Sequence, residues 1–275
     1  MVRNLDNRPT ITAPVSVDQE QLLSIINIIQ GQVSVDKTVL DARNILSSFN
    51  EYIGGEINNK HHIDLCNALD SGEDVIGTLP RNSAKSTIGS IRYPAYSLGK
   101  DRGMRIIICS CTATLSESFS RSIGALLSND KYRLLFGDLI PISKSAIWNT
   151  QEKIVAGRPE YNHFGLRVDE KDASVFSVGV GGSVVGRRAD LIILDDIIDR
   201  RTVKTQSQIE DIKQWLTEEL KGVRHAQTQT VLLGTRWNDK DIYIDNISQA
   251  LSSNATVLGN MEEDLLEQVR RFNTQ

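Results

Sequence analysis

The chain of 275 residues carries 31 Lys and Arg against 35 Asp and Glu, a formal net charge of −4, with 40% hydrophobic and 24% charged residues. This balance is ordinary for a folded globular chain. It excludes a disordered polyelectrolyte and a protein that coats nucleic acid by bulk positive charge, while leaving room for a local basic groove.

The first 17 residues are polar and contain Pro9 and Pro14, which reads as a loose arm without the apolar core of a signal peptide. A helical region follows. Leu22, Leu23, Ile25, Ile26, Ile28 and Ile29 are too dense for a thin amphipathic stripe, whereas Leu40, Ile45, Leu46 and Phe49 recur at helical spacing until Gly54-Gly55 stops the pattern. His62 to Leu69 predicts a further helix. Beyond it, short apolar runs alternate with longer periodic segments. Val75–Leu79, Arg105–Thr112, Val175–Val180, Leu191–Leu194 and a final Thr230–Leu233 read as strands; about Lys85–Leu98, Leu115–Leu127 and Gln208–Leu220 read as helices. Strands alternating with helices predict a mostly parallel α/β sheet covered on both faces. In such sheets ligands bind at the carboxyl ends of the strands. No apolar run approaches the ~20 residues that span a bilayer. Cys66, Cys109 and Cys111 show no C-x-x-C pair and read as small buried hydrophobes.

Three segments at strand ends can carry chemistry. The first is LPRNSAKST, residues 79–87, after a strand and opening a helix. Aligned on Lys85 and Ser86 it follows G-x-x-x-x-G-K-[ST] with both glycines replaced, by Leu79 and Ala84. Backbone N–H groups at the helix start favour an anion, Lys85 can reach β- and γ-phosphates, and Ser86 can bind Mg²⁺. Taken alone, a solvated lysine in a first helical turn accounts for the segment at least as well. The second is RRADLIILDDIID, residues 187–199, an apolar strand that delivers Asp195 to a metal and Asp196 to an attacking water. The third is LLGTRW, residues 232–237, in which Thr235 can sense a γ-phosphate and Arg236 can pair with an anion. GVGGSVVG, residues 179–186, fails the dinucleotide fingerprint because Val184 stands at its last glycine; it reads as a flexible turn before Arg187 and Arg188.

The order LPRNSAKST, IIICSCT, FSVGVGGSVVGRRADLIILDD, LLGTRW resembles the ATPase half of the tailed-phage terminase large subunit, over roughly residues 50–245. The resemblance implies a P-loop NTPase of the RecA/ASCE-like kind, preceded by an N-terminal helical region. It divides the chain into an arm and helical subdomain at 1–50, an ATPase domain at 51–250 and a tail at 251–275. The implied activity is ATP hydrolysis driving double-stranded DNA into a procapsid. ATP and Mg²⁺ are the implied cofactors. The implied partners are portal protein, the small terminase subunit and further copies in a ring, in the host cytoplasm and away from membranes. By the same resemblance Arg81, Asn82, Ser83, Ala84, Lys85, Ser86 and Thr87 hold the nucleotide, and Arg81 is also the catalytic, nucleotide-sensing arginine of the loop, the alternative in cis to an arginine from a neighbour. His62 stands where an adenine-reading Gln is common, and Ser86 and Asp195 hold the metal. Asp196 is the catalytic acid, Thr235 the coupling residue, and Arg188 (before Arg187) the arginine offered to a neighbouring subunit. The family also carries a nuclease domain; the ~30 residues after the last motif are fewer than such a domain requires, so no nuclease activity is expected of this chain, and Glu262, Glu263 and Asp264 read as a solvated helix. A helicase-like ATPase, and an assembly module that docks DNA or portal without efficient catalysis, are the alternatives.

Overall fold

The structure is a computed structural model and describes residues 37–143, 145–169, 172–198, 206–235 and 256–259. Asp41–Gln275 form one compact unit, so the division falls ten residues before the expected 50/51 boundary. The reason is local. After a helix over residues 37–44 (α1), helix α2 (Leu46–Gly54) buries Leu46 and Phe49. The Phe49 ring lies 5.3 Å from that of Tyr96 and 5.9 Å from that of Phe136, within the sheet-bearing unit. Gly55 ends α2 at φ +72° and donates its N–H to Glu51 O, a left-handed cap that glycine adopts freely. Helix α3 (Lys60–Asp70) follows.

Among the described residues the sheet has seven strands: β1 (Val75–Thr78), β2 (Ile106–Ser110), β3 (Glu152–Lys153), β4 (Val175–Gly179), β5 (Leu191–Asp195), β6 (Gln229–Gly234) and β7 (Thr256–Gly259). Their spatial order is β3-β4-β2-β5-β6-β1-β7. All neighbours are parallel except β3, which runs antiparallel to β4 at the edge. The expected α/β class with a mostly parallel sheet is therefore observed. Two strands are corrections. Thr230–Leu233 is not the final strand: β7 pairs with β1 inside the segment read as a tail. The two-residue β3 carries no periodic signal.

Alternation along the strands sends side chains to both faces. Ile107 and Cys109 of β2, Phe176 and Val178 of β4, Ile192 and Leu194 of β5 and Leu232 of β6 share a core cluster with Trp215, Leu216, Leu220 and Val223. These last residues follow helix α7 (Gln206–Gln214), mostly in a π-helical turn, Trp215–Leu220. The other face takes the helix that starts at Lys85. It runs through a π-helical stretch, Thr87–Arg92, into α4 (Tyr93–Lys100). A Cβ added at Gly89 would come within 2.4 Å of Leu233 Cδ1, so this helix lies directly on β6. Helix α5 (Ala113–Leu127) is capped by Thr112, whose side chain accepts from Leu115 N. Helix α6 (Asp130–Phe136) completes the described helices; sequence periodicity over so short a segment does not announce it. Among the described residues no helix is long and apolar enough to cross a membrane.

The amino ends of the strands are tied by charge. Buried Arg105 donates through Nε and Nη2 to both oxygens of Asp190, at 2.9 and 2.7 Å. Asn162 Nδ2 and His225 Nε2 meet the same carboxylate at 3.0 and 2.9 Å. Burial alone would push Asp190 up, yet Arg105 and His225 hold it below the usual carboxylate range.

Lys153 of β3 is buried and donates to Ser120 Oγ at 2.8 Å and to Asn149 O. Desolvation drives its pKa down from 10.5 to about 8. The folded chain thus releases a proton that the unfolded chain keeps, and stability should rise as pH increases from about 8 to 10.5. Urea midpoints across that window should climb for the wild type, and more than for Lys153→Met, in which this contribution is gone.

Candidate functional site

In-register pairing brings three strands to a common level. Thr78 of β1 pairs with Gly234 of β6, and Leu233 of β6 pairs with Asp195 of β5. The segments that leave these carboxyl ends are the 79–87 loop, Asp195-Asp196 and Thr235. β6 lies between the loop strand and the acid strand, which puts β1 and β5 roughly 10 Å apart and places Thr235 between the other two.

The loop begins with Leu79 N donating to Gly234 O at 3.1 Å. It then turns through left-handed backbone at Asn82 (φ +64°) and Ala84 (φ +58°). Ala84 occupies the position where the sequence pattern has glycine, and its φ shows why glycine suits it. Ile88 N donates to Ala84 O at 2.9 Å, so the preceding N–H groups stand at a helix start, where no intrahelical acceptor exists. Ser83 Oγ is buried in the loop with no hydrogen-bond partner.

Lys85 is buried and engaged on two sides. Its Nζ donates to Thr235 Oγ1 at 2.9 Å and lies 3.5 Å from Asp196 Oδ2. Asp196 sits at φ +44° with its N–H on Leu233 O, and its Oδ1 accepts from Thr235 N at 3.1 Å. Asp195 is fully buried. Ser90 Oγ donates to its Oδ2 at 2.6 Å, Ser110 Oγ donates to its carbonyl at 2.7 Å, and Oδ1 has no partner. Burial raises the Asp195 pKa to about 6, against the Ser90 and Ser86 hydroxyls, which favour its charged form.

These features fit a polyphosphate with a divalent cation. The loop and the helix start offer N–H groups to phosphate, and Lys85 offers a cation. Ser86 and Asp195 Oδ1 would hold Mg²⁺, which needs only one or two protein oxygens when phosphates supply others. Among the described residues no group of three or more His, Cys, Asp or Glu could hold a metal unaided, so the metal would depend on the phosphates.

Of the residues singled out in the sequence, Lys85, Ser86, Asp195, Asp196 and Thr235 thus meet. His62, near the start of α3, interacts with the Ser83 backbone and therefore borders the loop; burial and His61 push its pKa down. Arg81 is exposed on the loop. Arg187 stacks on Phe176 at 3.5 Å and pairs with Glu152, a packing role. Arg188 lies before β5, at the opposite end of the sheet, in a groove of about 900 Å³ shared with Arg158 and Arg167. Arg236, Trp237, Leu22–Ile29 and Glu262–Asp264 lie outside the described residues. Cys109 is buried in the core, whereas Cys111 is only half-buried, at a small cavity beside Ile197 and Ile212. Sequence reasoning missed Ser90 and Ser110. Ser90 left a trace, as a polar residue between Ile88 and Ile91.

The sequence matches no protein-family model and no curated protein.

Two stability outcomes follow from this geometry. A left-handed alanine costs ~1–2 kcal/mol, while glycine loses ~0.5–1 kcal/mol more backbone entropy on folding. Ala84→Gly should therefore leave the thermal midpoint unchanged or slightly raised, and β-branched Ala84→Val should lower it clearly. Asp195, with its pKa raised from 3.8 to about 6, contributes stability below pH 3.8 that is lost as pH rises through 6. Asp195→Asn should then melt several degrees higher than wild type at pH 7 without ligand, and the gain should vanish near pH 4.

Proposed function

We propose that this chain is the ATP-hydrolysing motor domain of a DNA-packaging machine of the terminase type. The observation that carries the reading is the convergence of Lys85, Asp195, Asp196 and Thr235 from three strand ends beside a loop with a left-handed alanine at its glycine position. ATP sits with its phosphates against residues 81–87. Lys85 balances their charge, and Ser86 and Asp195 would hold Mg²⁺, which when bound would supply positive charge to the phosphates. Asp196 orients the attacking water and accepts its proton. Thr235, hydrogen-bonded to both Lys85 and Asp196, couples the state of the site to β6.

The packaging context rests on the motif order. It makes double-stranded DNA, portal protein and the small terminase subunit the partners, with copies of the chain in a ring. Arg188, exposed and remote from its own chain's site, is then the arginine offered to the neighbour's nucleotide.

Lys85→Ala should abolish ATP hydrolysis in a chain that is still folded by circular dichroism, with a lower thermal midpoint because Thr235 and Asp196 lose a buried partner. Asp196→Asn should bind Mg²⁺-ATP yet turn it over roughly 10²–10⁴-fold more slowly. Wild-type turnover from Lys85→Ala would overturn the assignment. Tight nucleotide binding without turnover in the wild type would select the non-catalytic docking module, and stimulation by single-stranded rather than double-stranded DNA the helicase-like ATPase.

A further inference from the structure

The Asp195 carboxylate has two oxygens in different situations. Oδ2 accepts from Ser90 Oγ at 2.6 Å, and Oδ1 is buried without a partner. Ser90 belongs to none of the three motif segments. It lies four residues after Ser86 on the same helix, so the two hydroxyls share a face, and both favour the charged carboxylate.

Its placement is tightly determined. Ser90 is fully buried, and at the preceding Gly89 a Cβ would meet Leu233 Cδ1 at 2.4 Å, so the backbone has no room to move toward β6. Pro94 has no N–H for the Ser90 carbonyl, and its ring would collide with that carbonyl in a regular helix. The helix answers with a π-helical stretch, Thr87–Arg92, after which Tyr93 N donates to Ile88 O. Ser110, at the end of β2, holds the Asp195 backbone from the other side. Side chain and main chain of Asp195 are thus fixed by two serines from different elements.

We propose that Ser90 is a positioning residue for the metal site: its hydroxyl occupies Asp195 Oδ2 and fixes the rotamer that presents Oδ1 to the Mg²⁺ of a bound nucleotide. The inference rests on the ATPase reading above. A serine that only satisfied a buried acceptor would matter equally with and without metal, whereas a positioning serine matters only when the metal is bound.

The test is a fluorescent-ATP titration of the whole chain in EDTA and at graded Mg²⁺. Ser90→Ala should bind ATP like wild type in EDTA but need about 10–100-fold more Mg²⁺ for half-maximal tightening, the usual cost of losing an outer-shell partner. Ser90→Cys keeps the volume and weakens the donor. It should give an intermediate shift, and it carries the test if Ser90→Ala does not fold. Ser90→Ala should add nothing to Asp195→Asn. An unchanged Mg²⁺ requirement in the folded variants, or equal losses with and without Mg²⁺, would overturn the role of Ser90 while leaving the ATPase reading intact. Wild-type chain that shows no Mg²⁺-dependent ATP binding would overturn the ATPase reading and this inference with it.

Discussion

Removing the Asp195 carboxylate from water is the costliest placement in the site, because burial of a charge is repaid only by partners. β2 and β6 flank β5 on both sides and leave its last residue no access to solvent. Ser90 and Ser110 reach in from the helix that follows the 79–87 loop and from β2. The Lys85 cation lies close enough to favour the charged form. The loop, the helix start and three strand ends are thus arranged around one group that stays short of partners.

The two ends of β5 show opposite solutions to the same problem. Asp190 immediately precedes the strand and Asp195 ends it; both are buried. Asp190 is met by Arg105, Asn162 and His225, and its pKa falls. The Asp195 side chain accepts from serine hydroxyls with only the Lys85 cation nearby, keeps one oxygen without a partner, and its pKa rises to about 6. A saturated ion network holds strands together. A buried carboxylate with an oxygen unmatched is the kind of group that the proposed metal site would use.

Much of this was legible in the residues because central parallel strands are buried on both faces and read as apolar runs. IIICS, LIILD and QTVLLG are such runs, and each was placed to within about two residues, the ordinary scatter of element boundaries. Edge strands lack that signal: β3 has two residues, and β7 lies in a polar stretch and gains its place by pairing with β1. α6, with seven residues, is too short for periodicity to speak. Lys85, Ser86, Asp195, Asp196 and Thr235 could be picked out because a strand end followed by a polar residue is a local pattern. Ser90 could not, since its partner lies 105 residues away and the π-helical stretch that carries it depends on packing as much as on Pro94. The place of Arg188 was not legible either: the glycines of the turn before it begin at the carboxyl end of β4, while the arginine itself lies at the amino end of β5.

The hydrogen bond from Lys85 to Thr235 acts as a resident competitor for any ligand. With one N–H on that hydroxyl and one toward Asp196, the ammonium keeps a third donor, so an anion drawn to Nζ can add to these contacts as well as displace them. On the proposed ATPase reading, an anion that drew Nζ away would loosen its bond to Thr235, the residue that follows β6, and so pull on the end of that strand.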